Sequence, residues 1–498
     1  MPRSSVAEIE QLTTLLQRDG ELRQLPRRAD ELVATFQSAQ SELSKTWYGR
    51  QILENGRASL QRREALGRSL TCDAELSSAL SRLETAAARH IETNEFDVAL
   101  RLIQDQAGEI WMRTQERGWI SGSERLDRLC LTIGRKIRDF AEQPCPVSRN
   151  DRPRFIYVVS ELYREGGHTR LLEDLIAAQP HDDHEVIWTW GESADAITNM
   201  AEVLRVRKAV PLQALRGQPV ERLRAAFALL TNACPDVLVH LGHPNDPITI
   251  ALMQPGIARR CLMIHHGDCS FALGRSLGKT VHVALGRHFQ DFVHREWALE
   301  TVLLPLTCEE PVVGKDARWS RDRRFLTVTS GSSGKFNLTG ALSYLDVLTE
   351  RFAAREGSHV HIGSLSGEQM LRIQQHLEKL GCRERFVHIE HVPHLASALR
   401  EEAPSVYIDS YPIGGGRTII EAMAAGLPIC AASHDPNLDS STFCYPERFS
   451  WTQPAQLGKI LAGLDPPTVE RHATLSRKYF KRNHSPTIFK RRLRALIN

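Results

Sequence analysis

The densest chemistry in this sequence lies between Tyr407 and Pro428, where Asp409-Ser410-Tyr411-Pro412-Ile413-Gly414-Gly415-Gly416-Arg417-Thr418 leads into a helix-forming segment. An apolar run enters three glycines and then a helix start. Free backbone N–H groups and the positive end of the helix dipole therefore meet at Gly414, Gly415, Gly416, Arg417 and Thr418, a place suited to a phosphate group. Glu421 follows one to two turns later, where a carboxylate accepts hydrogen bonds from ribose hydroxyls. A second polar loop, Thr329-Ser330-Gly331-Ser332-Ser333-Gly334-Lys335, also follows an apolar run. It offers hydroxyls, Ser332 among them, and one cation. Lys335 would stabilise a phosphate-type leaving group, which gains negative charge as its bond breaks.

Histidines cluster in three further loops. His168 stands in Glu165-Gly166-Gly167-His168-Thr169-Arg170, and His266 and Asp268 stand in Ile264-His265-His266-Gly267-Asp268-Cys269. His and Asp one residue apart at a strand end both reach a cleft, and an imidazole suits proton removal from an acceptor hydroxyl. His266 or Asp268 is the expected general base, His168 the next choice, and His243 a further candidate in the cleft. His388, His391 and His394 recur every third residue. That spacing would gather metal ligands only on a helix, and this run reads as a strand end and loop, so no metal site is expected.

The elements that position these residues follow from the pattern. From Val6 to Phe140 the chain is rich in Leu, Ala, Glu, Gln and Arg and reads as helical. A polar, proline-marked linker follows at 143–153. Short apolar runs then alternate with helical sequence: Phe155 to Val159, Val186 to Trp190, Val237 to Leu241, Cys261 to Ile264, Val281 to Leu285 and Val302 to Leu304. A second set comprises Phe325 to Val328, Val360 to Ile362, Phe386 to Ile389, Val406 to Ile408 and Ile429 to Ala431. Each set predicts a parallel sheet covered by helices, with ligands outside the carboxyl ends of its strands.

The stretch from Asp409 to Pro428 resembles the nucleotide-sugar site of glycosyltransferases with the two-domain GT-B fold. Glu421-Ala422-Met423-Ala424-Ala425-Gly426-Leu427-Pro428 is similar to the signature of retaining family 4, although Ile413 and Ser330 stand where that family has Glu and Arg. The spacing from Asp409-Ser410-Tyr411-Pro412 to Glu421 looks more like inverting family 41, which includes bacterial protein glycosyltransferases. The segment around His266 and Asp268 is similar to a His-x-Asp-His segment of family 4-like enzymes, with Cys269 in place of the last His.

The resemblance covers roughly residues 153 to 480. Before it, the helical composition gives an all-α domain over 1–145; the resemblance implies a first Rossmann-like α/β domain over 153–310 on the acceptor side. A second such domain over 320–480 would bind the nucleotide sugar, and a basic helix over 481–498 would cross back. It implies a UDP-sugar donor and no cofactor or metal. Gly166 and Gly167 would approach the transferred sugar, Lys335 the diphosphate, and His391 and His394 the base.

Composition bounds the alternatives. With 498 residues, 42% hydrophobic and 25% charged, the chain needs more than one core. Ten cysteines without a CxxC pair read mostly as reduced core residues. No apolar leader or membrane-length run is evident, so a cytoplasmic enzyme is expected, and the resemblance implies a bacterial one. Net charge is +3, yet nine Lys and Arg and no acid occupy the last 28 residues. That basic end would suit peripheral contact with an anionic membrane; nucleic acid is not an expected partner. Absent GxGxxG and Walker spacings argue against dehydrogenase and P-loop chemistry. Transfer of a sugar to a protein side chain is favoured, with the N-terminal helices recognising the acceptor or mediating homo-oligomerisation. Transfer to a polysaccharide or lipopolysaccharide is the enzymatic alternative, and a non-catalytic GT-B scaffold the other.

Overall fold

The structure, a computed structural model, describes residues 76–114, 121–138, 152–162, 167–190, 212–266, 271–312, 325–340, 343–433 and 443–497. The chain forms two compact units, 1–81 and 82–498. Most of the expected helical region before residue 76 lies outside the described residues. The second unit contains both sheets.

The first sheet has seven parallel strands in the order β3-β2-β1-β4-β5-β6-β7. Their bounds are β1 Arg154–Val159, β2 Asp183–Trp188, β3 Leu212–Ala214, β4 Val237–Leu241, β5 Arg260–His265, β6 Val281–Ala284 and β7 Thr301–Leu303. The second sheet has six, in the order β10-β9-β8-β11-β12-β13. They are β8 Thr327–Ser330, β9 His359–Ile362, β10 Phe386–Ile389, β11 Val406–Ile408, β12 Ile429–Ala432 and β13 Phe449–Trp451. The central strands are buried along their length, as expected for a sheet covered on both faces. Chain order reverses beside β1, which lies between β2 and β4, and beside β8, which lies between β9 and β11. Loops leaving β1 and β4, and those leaving β8 and β11, splay apart at a crevice in each sheet, which is where open α/β sheets bind ligands.

Three expected strands shift. The run expected at Phe325 to Val328 pairs two residues later, through Ser330, because Arg351 Nη2 donates to Phe325 O (2.7 Å) and draws that residue off the ladder. The strand expected at Val186 to Trp190 runs from Asp183 to Trp188, its last ladder bond with β1 being Thr189 N to Val159 O (2.8 Å). The one expected at Val302 to Leu304 begins at Thr301 and ends at Leu303. β3 and β13, of three residues each, were not expected from the sequence.

The helices Phe96–Thr114 and Glu124–Arg138 pack directly on the first sheet's helices. Gly134 allows this approach: a Cβ there would lie 2.0 Å from Ala251 O. Buried Asp127 accepts from Gly274 N (2.6 Å), Ser276 N (3.0 Å) and Ser276 Oγ (2.8 Å), tying the helix to the loop after β5. At the other end of the chain, Phe480 belongs to the second sheet's core, whereas Phe489, Leu493, Leu496 and Ile497 belong to the first. The chain crosses between cores at His484, whose Nδ1 donates to Leu306 O (2.8 Å) while Thr307 Oγ1 donates to His484 O (2.6 Å). Both connections between the sheets therefore lie side by side. Cys130, Cys308, Cys382, Cys430 and Cys444 are buried free thiols. No described helix is long and apolar enough to cross a membrane.

Candidate active site

Between the carboxyl ends of the two sheets lies a cavity of about 790 Å³, within the range that holds a small ligand. Its walls carry Gly167, His168 and His266 from the first sheet, and Ser332, Lys335, His391, Gly414, Gly415, Gly416, Arg417, Thr418 and Glu421 from the second. The loop after β11 and the helix Gly416–Ala425 face the loop after β8. Lys335 Nζ donates to Gly414 O (3.0 Å), so the lysine stands directly against the glycine turn. Thr418 Oγ1 donates to Gly415 O (3.0 Å), and Asp409 Oδ1 accepts from Gly415 N (3.3 Å), fixing the turn's shape. A Cβ at Gly363, whose φ is +132°, would lie 2.2 Å from Gly331 O; glycine lets the loops after β8 and β9 close the cavity floor.

His168 and His266 stack across the first sheet's end with centroids 4.4 Å apart. Nε2 of His168 contacts Leu241 O (2.6 Å), and Nε2 of His266 contacts Gly242 O (2.8 Å). A carbonyl only accepts, so each Nε2 carries the proton and Nδ1 keeps the lone pair. Burial pushes the His266 imidazole down to about 4, with the Gly242 carbonyl opposing and His243 assisting. Burial and the His266 ring hold His168 well below the usual range. At neutral pH both rings are neutral bases.

Arg417 and Glu421, both expected at the donor site, line the cavity and are paired there. Arg417 Nη1 donates to Asp174 Oδ2, on the helix Gly167–Ala178 of the first sheet, and Arg417 Nε lies 3.4 Å from Glu421 Oε1. Burial raises the Glu421 carboxyl and Arg417 draws it back. Burial opposes the Arg417 charge too, but Asp174 and Glu421 more than restore it.

His394 occupies the N-cap position of the helix Leu395–Glu402, is exposed, and is not among the residues that line the cavity. Gly166 and Asp268 lie outside the described residues. His243 packs against Trp111 (4.6 Å) and Trp190 (5.4 Å) and does not line the cavity. Sequence reading passed over Arg170, Glu390 and Phe443 as lining residues, and Asp174 as the partner of Arg417. Among the described residues no cluster of His, Cys, Asp or Glu has the makings of a metal site.

No protein-family profile and no curated protein matches this sequence. Solved structures do. One is a glycosyltransferase from Rickettsia africae ESF-5, 11% identical with a TM-score of 0.57, covering 70% of this chain and 98% of that one. Another is Anabaena Alr3699/HepE in complex with UDP and glucose, 14% identical with a TM-score of 0.53, covering 68% and 98%. The same Anabaena protein with UDP gives 13% identity and a TM-score of 0.53 over 69% and 98%. At such identities the likeness is one of fold: two parallel sheets with helices, an α/β two-domain architecture like GT-B.

Proposed function

We propose that this chain is a glycosyltransferase that moves a sugar from a UDP-sugar to a protein side chain, with Lys335 rather than a metal beside the diphosphate. The carrying observation is the placement of Lys335 Nζ against the glycine turn, with Glu421 one turn further along the same helix, in a cavity whose opposite wall holds two neutral histidines. The fold likeness to a UDP-bound Anabaena protein supports the choice of nucleotide.

In this reading Glu421 accepts from the ribose hydroxyls, while the N–H groups at Gly415 to Thr418 and the Lys335 ammonium face the diphosphate. The acceptor's nucleophilic atom bonds to the anomeric carbon, the bond from that carbon to the phosphate oxygen breaks, and the pair of electrons leaves with UDP. His266 Nδ1 takes the proton that the acceptor loses. The helices Phe96–Thr114 and Glu124–Arg138, packed on the helices of the first sheet, offer additional surface on that domain, which is why a macromolecular acceptor is preferred here.

His266→Ala should lower transfer by about 100-fold or more while leaving UDP affinity within twofold, because the ring serves the acceptor and not the donor. Incubation with UDP-sugars and a lysate, read by intact-protein mass spectrometry for added hexose masses, provides the assay. Transfer at the wild-type rate in His266→Ala would remove this base. Sugar found only on glycans would replace the protein acceptor with the polysaccharide reading.

A further inference from the structure

The two sheets are joined across the cleft by a buried chain of charge. Asp174, Arg417 and Glu421 expose only 5%, 14% and 17% of their side chains, so solvent screens them little. Arg417 donates through Nη1 to Asp174 and approaches Glu421 through Nε at 3.4 Å. Asp174 lies two turns into its own helix and does not line the cavity. Its partner belongs to the first turn of the helix whose N-terminus faces the cavity.

We propose that Asp174 is a positioning residue of the donor site, supplied from across the cleft: it holds Arg417 in a single-contact pose beside Glu421, so that nucleotide binding and the seating of the two domains form one linked equilibrium. The inference rests on the donor-site reading above. Guanidinium is a planar fork that binds a carboxylate through two parallel bonds when nothing prevents it. Here one arm is committed to Asp174, and Glu421 receives only a long contact from Nε, leaving its other oxygen for ribose hydroxyls. Without Asp174, Arg417 would turn its full fork onto Glu421 and occupy the lone pairs that the ribose needs. The same step would break the buried link between the domains. Linkage then requires that if the closed link strengthens nucleotide binding by some factor, bound nucleotide strengthens the link by that same factor.

The test is calorimetric titration with UDP of the full chain and of Asp174→Asn, Asp174→Glu, Arg417→Gln and the Asp174→Asn/Arg417→Gln pair. Asp174→Asn should weaken UDP about tenfold, a size typical of such couplings. Asp174→Glu should recover part of the loss, and the pair should be no weaker than Arg417→Gln alone, because the positioning role proposed for Asp174 runs through Arg417. The rise in Tm produced by saturating UDP should shrink in Asp174→Asn, which a purely structural pair would not cause. Unchanged UDP affinity in Asp174→Asn, with only a lower Tm, would overturn the inference and leave the donor site standing. Additive losses in the pair would also overturn it. A wild-type chain that binds no UDP would overturn the donor-site reading itself. If Asp174→Asn does not fold, Asp174→Glu and Arg417→Gln carry the same comparison.

Discussion

Replacing Lys335 with Ala should lower turnover by about 1,000-fold. The reason is local. Lys335 stands on a single 3-10 turn, Ser333–Lys335, immediately after β8, and its Nζ reaches Gly414 O at 3.0 Å. Any diphosphate at the helix start must lie beside it. Charge on the leaving group grows as the glycosidic bond breaks, so the ammonium interacts more strongly with the transition state than with the bound donor. A pre-placed charge partner of that kind contributes about 3–4 kcal/mol. The loss should appear in kcat, and UDP, which carries the extra charge, should lose more affinity than the UDP-sugar. Lys335→Arg keeps the charge but not the compact point of it, and should recover only part of the rate. Steady-state kinetics of the three proteins decide the matter; a change confined to KM would show that Lys335 only binds.

Acidification should unfold the protein at a pH where most proteins of this size survive. Burial holds His240 and His361 to about 3, and His266 and His484 to about 4. It also keeps His168, His265 and His359 well below the usual range. In the unfolded chain each ring titrates near ~6.5. Between pH 6.5 and 4 the unfolded state thus binds protons that the native state refuses, and stability falls as pH falls. From pH 7 to 5.5 each ring costs roughly 1.25 kcal/mol, about 5 kcal/mol for the first four together. Total stabilities are typically about 5–15 kcal/mol. Buried carboxyls raised in the native state, Asp127 and Asp246 among them, pull the other way, and the rings outnumber them. Urea denaturation at pH 7.5 and 5.5 should therefore give midpoints that differ strongly, and the acid limb of activity should coincide with loss of near-UV dichroism. A stability that stays level to pH 5 would contradict the buried, neutral state of these rings.

What the sequence made legible was local. The glycine turn, Glu421 one turn beyond it and Lys335 at the end of a strand each announce themselves within about a dozen residues, and the structure brings all three to one cavity. Long, fully buried runs such as Phe155 to Val159 also identified the central strands, because apolar continuity is itself the requirement for burial on both faces. Short edge strands such as Phe449–Trp451 carry no such signal.

Pairings across the fold stayed hidden. Asp174 sits in Leu171-Leu172-Glu173-Asp174-Leu175, which reads as the polar stripe of an amphipathic helix, and its partner is 243 residues away. Asp127 likewise resembles a solvent-facing residue of a helix until the loop at Gly274 closes over it. His394, named from the family resemblance, stands exposed at the N-cap of the helix Leu395–Glu402 and is not among the residues that line the cavity. Side-chain direction at a turn depends on backbone angles that residue spacing does not encode.

The central claim is that this cleft binds a uridine nucleotide through Lys335 and Glu421. Calorimetric titration of the full chain with UDP and with GDP, repeated on Lys335→Ala and Glu421→Ala, tests it most directly. The account predicts micromolar binding of UDP, weaker binding of GDP, and at least a tenfold loss in each variant. No binding of either nucleotide, or equal UDP binding by all three proteins, would contradict it.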